Sequence, residues 1–114
     1  MKLVFGLVVV ILLSSCKKNI DETTNIKVYK FDNSIQCERA GIELAVMELE
    51  LINAGIDVLC SQKGSDGFFR PAVCGAGTGR INIYTIHSSN INDAKDIGFF
   101  PVSELSEYRD SECQ

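Results

Sequence analysis

Taken as a bare sequence, this chain is a small α+β domain: an antiparallel sheet with two helices, stapled by disulfides. Three observations carry that reading. Short runs of alternating β-branched and aromatic residues recur, most clearly in Arg80-Ile81-Asn82-Ile83-Tyr84-Thr85-Ile86. One longer segment, residues 42–53, has apolar side chains at helical spacing. Cys37, Cys60, Cys74 and Cys113 form an even set in a body too short to bury a large core.

The first residues stand apart from that body. Lys2 precedes an apolar run over residues 3–13, in which only Gly6 is weakly apolar. A helix packed against a core keeps a polar face. This run has none, and it is shorter than the roughly 20 residues of a spanning helix. It closes on Leu13-Ser14-Ser15-Cys16. A charged start, a short apolar core and small residues at a boundary form a secretory signal. Those last four residues resemble the lipobox of bacterial lipoprotein precursors: an aliphatic residue, two small ones and an obligatory cysteine. The resemblance implies removal of residues 1–15 and lipidation of Cys16, whose thiol carries the diacylglycerol as a thioether. Each buried acyl CH2 contributes roughly 0.8 kcal/mol, and more than one chain makes a stable membrane anchor. By the sorting rule of enterobacterial lipoproteins, Lys17 in place of Asp implies the outer membrane, facing the periplasm.

The exported chain then divides into a lipidated tether (16–25), an α+β domain (26–105) and an acidic tail (106–114). Residues 17–25 are polar, and fully extended they reach about 30 Å. Residues 26–31 alternate as a strand, with Ile26, Val28 and Lys30 on one side and Lys27, Tyr29 and Phe31 on the other. Asp32-Asn33-Ser34 has turn chemistry. In the helix over 42–53, Ile42, Ala45, Val46, Leu49 and Ile52 form a wide apolar face, with Glu43 and Glu50 opposite. Gly55 suits the left-handed residue after its end. A strand is expected over 56–61 and a hairpin turn over 63–67, where Asp66-Gly67 is the signal. Residues 68–74 return as an edge or bulged strand, because Pro71 cannot donate to a ladder. A glycine-rich turn (75–79), a strand (80–86), a short helix (90–96, capped by Asn90 or Asn92) and a last strand (99–102) follow. Residues 103–114 are polar.

The order β-α-β-(β)-β-α-β resembles the ferredoxin-like split βαβ arrangement, with both helices on one face of the sheet. The alternative is an irregular α+β meander around a hairpin closed by Cys60–Cys74. Four cysteines allow three pairings. The expected one is Cys60–Cys74 with Cys37–Cys113, since the first pair flanks the hairpin and the second ties down the tail. Each bridge adds about 2–4 kcal/mol. No CxxC pair is present to suggest zinc, and an export signal points to an oxidising compartment.

The formal charge is −4, and loss of Lys2 with the signal makes it one unit more negative. An acidic chain with no basic stripe argues against nucleic acid and against adhesion to anionic lipid heads; the lipid on Cys16 would hold it at the membrane. Gly75-Ala76-Gly77-Thr78-Gly79 looks like a phosphate-cradling loop, but such loops lead from a strand into a helix. Here a strand follows and there is no Walker lysine, so a turn is expected. Arg80 is the residue that would assist an anion-binding nest. His87 is the only histidine, and a Cys–His nucleophile pair needs a free thiol. Glu48, Glu50, Asp57 and Asp66 are not paired by spacing, and a glycosidase cleft is hard to build in so short a chain. Neither catalysis nor a cofactor is expected. Two aromatic doublets remain, Phe68-Phe69 and Phe99-Phe100. Adjacent strand residues face opposite ways, so one ring of each can point outward. With Arg80, these four make the candidate binding surface.

The body, through residues 54–67 (AGIDVLCSQKGSDG), 70–86 (RPAVCGAGTGRINIYTI) and 96–102 (DIGFFPV), resembles small secreted bacterial proteins with no assigned activity. It is also similar to the peptidoglycan-binding SPOR domain. The shared features are the βαββαβ order, a helix ending before Ala54-Gly55-Ile56 and a second helix leading to Gly98-Phe99. The cysteines and the glycine-rich loop depart from that pattern. The expectation is a non-catalytic, lipid-anchored envelope module that binds a protein partner, with SPOR-like peptidoglycan binding as the alternative.

Overall fold

The computed structural model describes residues 24–113, so the signal, Cys16 and all but the end of the tether lie outside it. The described chain forms a five-stranded antiparallel sheet with two helices and two disulfides. Its strands are β1 (Asn25–Phe31), β2 (Cys60–Ser65), β3 (Arg80–His87), β4 (Phe100–Pro101) and β5 (Arg109–Asp110), and they lie in the order β4-β1-β3-β2-β5. The helices are α1 (Leu44–Asn53) and α2 (Ile91–Asp96). No helix among the described residues is long and apolar enough to cross a membrane.

β3 is the axis of the sheet because it is the richest in β-branched and aromatic residues and is buried on both faces. It pairs with β1 from Asn25↔His87 to Phe31↔Ile81, and with β2 from Cys60↔Thr85 to Ser65↔Arg80. Side-chain alternation then makes two cores. On the helix side, Val28, Tyr84 and Ile86 pack with Met47 and Leu51 of α1, Ala94 of α2, Ile56 and Phe99. On the other side, Ile81 and Ile83 pack with Val102, and Tyr29, Leu105 and Tyr108 close over them.

The helix over 42–53 forms from Leu44 onward, but it turns a different face to the sheet. Met47 and Leu51 are buried, with Leu44 packed beside them, whereas Ala45 is exposed and Val46, Leu49 and Ile52 are 56, 52 and 48 % exposed. Both faces of this helix are apolar, so spacing alone could not choose between them. Polar anchoring does. Tyr84 donates its hydroxyl proton to the Leu44 carbonyl (2.8 Å), Ser61 donates to Glu48 (2.6 Å) and Lys30 pairs with Glu50 (2.7 Å). Those contacts fix the helix rotation with Leu44, Met47 and Leu51 inward.

The expected strand over 56–61 starts later, at Cys60. The N–H of Ile56 donates back to the Leu51 carbonyl (3.0 Å), so the chain is still leaving the helix there. β2 consequently runs on through Lys63, Gly64 and Ser65, which are strand and not the hairpin turn expected over 63–67. Residues 68–74 form no strand. The place beside β2 is taken by β3, and residues 66–79 loop out between the two strands. The disulfides follow: they join Cys37 to Cys74 and Cys60 to Cys113, in place of the expected Cys60–Cys74 and Cys37–Cys113. Without a hairpin over 60–74, nothing brings Cys60 and Cys74 together.

The segment expected as an acidic tail contributes to the sheet through residues 109–110. After β4, the chain crosses the face opposite the helices, burying Val102 and packing Leu105 and Tyr108 on Ile81 and Ile83. It then pairs with the far edge of β2 through Gly64↔Asp110 and Ser65↔Arg109. Gly64 permits that close approach: a Cβ there would strike the Arg109 carbonyl and come within 2.7 Å of Ile83 Cδ1. Ser111 donates its N–H to the Lys63 carbonyl (2.8 Å), and Cys113 closes the strap on Cys60.

Candidate binding site

The sheet has two poles. The chain enters at Asn25, opposite His87, and the turn at Ser88–Asn90 donates the Ser88 N–H to the Thr24 carbonyl (2.9 Å). At about 3.3 Å per residue, the seven residues of β1 carry the chain roughly 20 Å to the other pole. There Phe31, Ser65 and Arg80 end their strands and the loops 32–43 and 66–79 meet, joined by Cys37–Cys74.

Asp32 organises this pole. Its N–H donates to the Arg80 carbonyl (3.1 Å), and its own carbonyl accepts from the Ile42 N–H (2.8 Å). The carboxylate is fully buried. Oδ1 accepts from the N–H and the hydroxyl of Ser34 (2.9 and 2.6 Å), the turn chemistry expected of Asp. Oδ2 faces the Lys63 ammonium at 3.3 Å, and that ammonium also donates to Asn82 Oδ1 (2.8 Å). Asn82, buried as well, donates to the Ile42 carbonyl (2.9 Å). Asn33 makes the bend with φ 65°, a left-handed conformation that Asn tolerates. A second buried carboxylate, Asp66, pairs with Arg70 and accepts the Phe68 N–H (3.1 Å). Gly79, at φ 78°, lets Arg70 and Asp66 close against the backbone, since a Cβ there would strike Arg70 Nε and lie 2.9 Å from Asp66 Oδ1. The glycine-rich stretch turns at Gly75, bridges to Ile35 at Gly77 and leads through Gly79 into β3.

Two hollows open on this frame. One, of about 290 Å3, lies between Phe31, Ile35, Thr78, Arg70 and Arg80, with Asp32 at its base. The other, of about 340 Å3, lies between Tyr29, Lys30, Phe31, Gly98 and Phe100. Phe31 and Asn33 line both, so the hollows are adjacent. The Tyr29 and Phe31 rings meet edge to face at 5.8 Å. Burial pushes the Tyr29 hydroxyl above its ordinary pKa, with Glu104 and Asp66 adding to the effect.

The residues expected to bind are only partly brought together. Arg80 and Phe100 line adjoining hollows. Phe68 and Phe69 are exposed on the loop over 66–79, and neither lines either of these two hollows. Because 68–74 is no strand, both rings of that doublet point outward, and Phe69 is 91 % exposed. Phe99 is fully buried and is not part of the surface. Its ring sits edge to face on Tyr84 (5.8 Å), with the Lys30 ammonium 5.1 Å from its centre. The second doublet does split as alternation requires, with Phe99 in and Phe100 out. His87 lies at the entry pole, opposite Asn25. All four cysteines of the described chain are in disulfides, and Glu48, Glu50 and Asp66 have structural partners.

Sequence reasoning missed Phe31, Asn33 and Arg70. Turn chemistry marked Asp32-Asn33-Ser34, but nothing in the pattern tells that the Asp32 carboxylate turns inward. Compared with protein-family models, curated proteins and solved structures, the chain matches none.

Proposed function

We propose that this chain is an envelope lipoprotein, anchored through Cys16 at the outer membrane and facing the periplasm, that acts as a non-catalytic protein-binding module. The observation that carries the reading is the separation of the poles. The tether joins the sheet at Asn25, and the paired hollows with their exposed aromatic rings lie at the far end of β1. A lipid on Cys16 would therefore present the hollows away from the bilayer, where a partner can reach them. The crosslink Cys37–Cys74 holds the loops of that pole in place before any partner arrives, which reduces the ordering cost of binding.

Fractionation tests the anchor: a Cys16→Ala protein should leave the membrane fraction, and its retention there would sink the lipid claim. Chemical cross-linking in intact cells tests the module, which should yield a dominant adduct with one protein.

A SPOR-like, peptidoglycan-binding role is the second reading. Strand order favours it: β3 lies between the parallel strands β1 and β2, and β1 between the parallel strands β3 and β4. The same order supports a ferredoxin-like split βαβ arrangement, to which β5 adds an edge strand. Cosedimentation with purified sacculi decides this reading, and a protein that stays in the supernatant rules it out.

A further inference from the structure

The module reading leaves open what chemistry the loop pole recognises. Building on it, we infer that the hollow between Phe31 and Arg80 takes a carboxylate borne by an apolar segment of the partner polypeptide. The charges that line this hollow do not cancel. Arg70 and Arg80 stand against the one buried carboxylate of the lining, Asp32, which leaves one formal positive charge in the hollow of a protein whose net charge is −4. Arg80 is the cation to spare. Asp32 is already served by Ser34 and Lys63, and the Arg80 Nε stands 3.8 Å from it, too far for a hydrogen bond. The Arg80 side chain is 54 % exposed and lines the hollow. Its Nε faces Asp32, and its outer N–H groups, which have no hydrogen-bond partner among the described residues, suit a planar, bidentate acceptor. Arg70, anchored by Asp66, lines the same hollow.

One excess positive charge in the lining matches a monoanion more closely than a phosphate dianion. The apolar walls, Phe31 and Ile35, accept a side chain next to the carboxylate. The adjoining hollow along Phe31 to Phe100 gives the peptide a path onward. A terminal carboxylate and an acidic side chain share this chemistry, and the probes separate them.

The test uses the full lipidated chain in nanodiscs with both disulfides formed. Four probes are titrated calorimetrically: acetyl-Ala-Ala-Phe with a free carboxylate, its C-terminal amide, acetyl-Ala-Glu-Phe amide, and phenyl phosphate. The free acid should bind at least about tenfold more tightly than the amide, as the loss of a charge-assisted pair requires. Comparable binding of the Glu peptide amide would also support the inference and assign the carboxylate to a side chain. Arg80→Gln should erase the preference over the amide, and Arg80→Lys should restore part of it; unchanged urea unfolding shows that neither variant disturbs the fold. Equal binding of acid and amide, tighter binding of phenyl phosphate, or a preference that survives Arg80→Gln overturns the inference. Protein adducts that persist in cells carrying Arg80→Gln, alongside such a result, would leave the module reading intact while the carboxylate assignment falls.

Discussion

Asp32 shows how much of this fold rests on single polar residues. Its backbone ties β1 to β3, and its carboxylate collects Ser34 and Lys63 beneath the hollow. Tyr84 plays the matching role under α1. Its hydroxyl donates to the Leu44 carbonyl, and burial raises its pKa well above the ordinary value, with Glu48 and Glu50 adding to the shift. Tyr29 is raised by burial, and Lys27 by its hydrogen bond to Asp110. All three shifts have the same sign. An unfolded tyrosine loses its proton near pH 10, whereas the folded Tyr84 holds it to higher pH. The folded state then binds more protons than the unfolded one, so stability is complete below pH 10 and declines as the pH climbs above it. Urea unfolding followed from neutral pH to about pH 11 should show a plateau and then a fall. Tyr84→Phe should cost about 1 kcal/mol at neutral pH and flatten that fall in part. A decline that already begins between neutral pH and about pH 8 would refute this assignment.

Among the elements, α1 carries the sharpest test. Leu51 is buried against Tyr84 and Val28, while Leu49, two residues earlier, faces solvent. Leu51→Ala should cost about 2–5 kcal/mol, and Leu49→Ala no more than about 0.5 kcal/mol. Denaturant midpoints decide it, and the reverse order would restore the apolar face read from spacing. How far the elements could be read from residues varies with a physical cause. β1, β3 and α2 were readable because alternation, turn residues and a closing glycine agree there. The start of β2 was not, because the Ile56 N–H still bonds back to α1 and Gly64 belongs to a strand instead of a turn. The strand expected over 68–74 failed because Asp66-Gly67 opens a long loop, and β3, not the residues just after the turn, pairs with β2. β5 escaped notice because an exposed pair, Arg109-Asp110, carries no strand signal and pairs only where Gly64 lets it. The binding surface was half visible: Arg80 and Phe100 stood out as charge and ring, whereas Phe31 and Arg70 gain meaning only from the folding of two distant loops. Gly64→Ala should release β5 from the sheet, which hydrogen exchange at Ser111, whose N–H bonds the Lys63 carbonyl, would report as lost protection.

The molecule as a whole is a sheet with a strap across the face opposite its helices and loops at one end. Cys60–Cys113 fastens the strap that covers Ile81 and Ile83, and Cys37–Cys74 joins the loops at the binding pole. The cysteines are separated by 53 and 37 residues in sequence, so chain entropy gives each bridge on the order of 4 kcal/mol. Peptide mapping without reduction should recover these two pairs, and Cys113→Ser should loosen the strap while leaving the loop pole cross-linked. The polarity of the molecule, with entry at Asn25 and hollows at the far end of β1, is what gives the proposed anchor its purpose. A photo-activatable residue placed at Phe100, and separately at Ser89 beside the entry pole, tests it in intact cells. Irradiation should yield one dominant protein adduct from position 100 and none from position 89. Equal adducts from both positions, or an adduct from position 89 alone, would show that the partner does not meet the protein at the pole away from its tether.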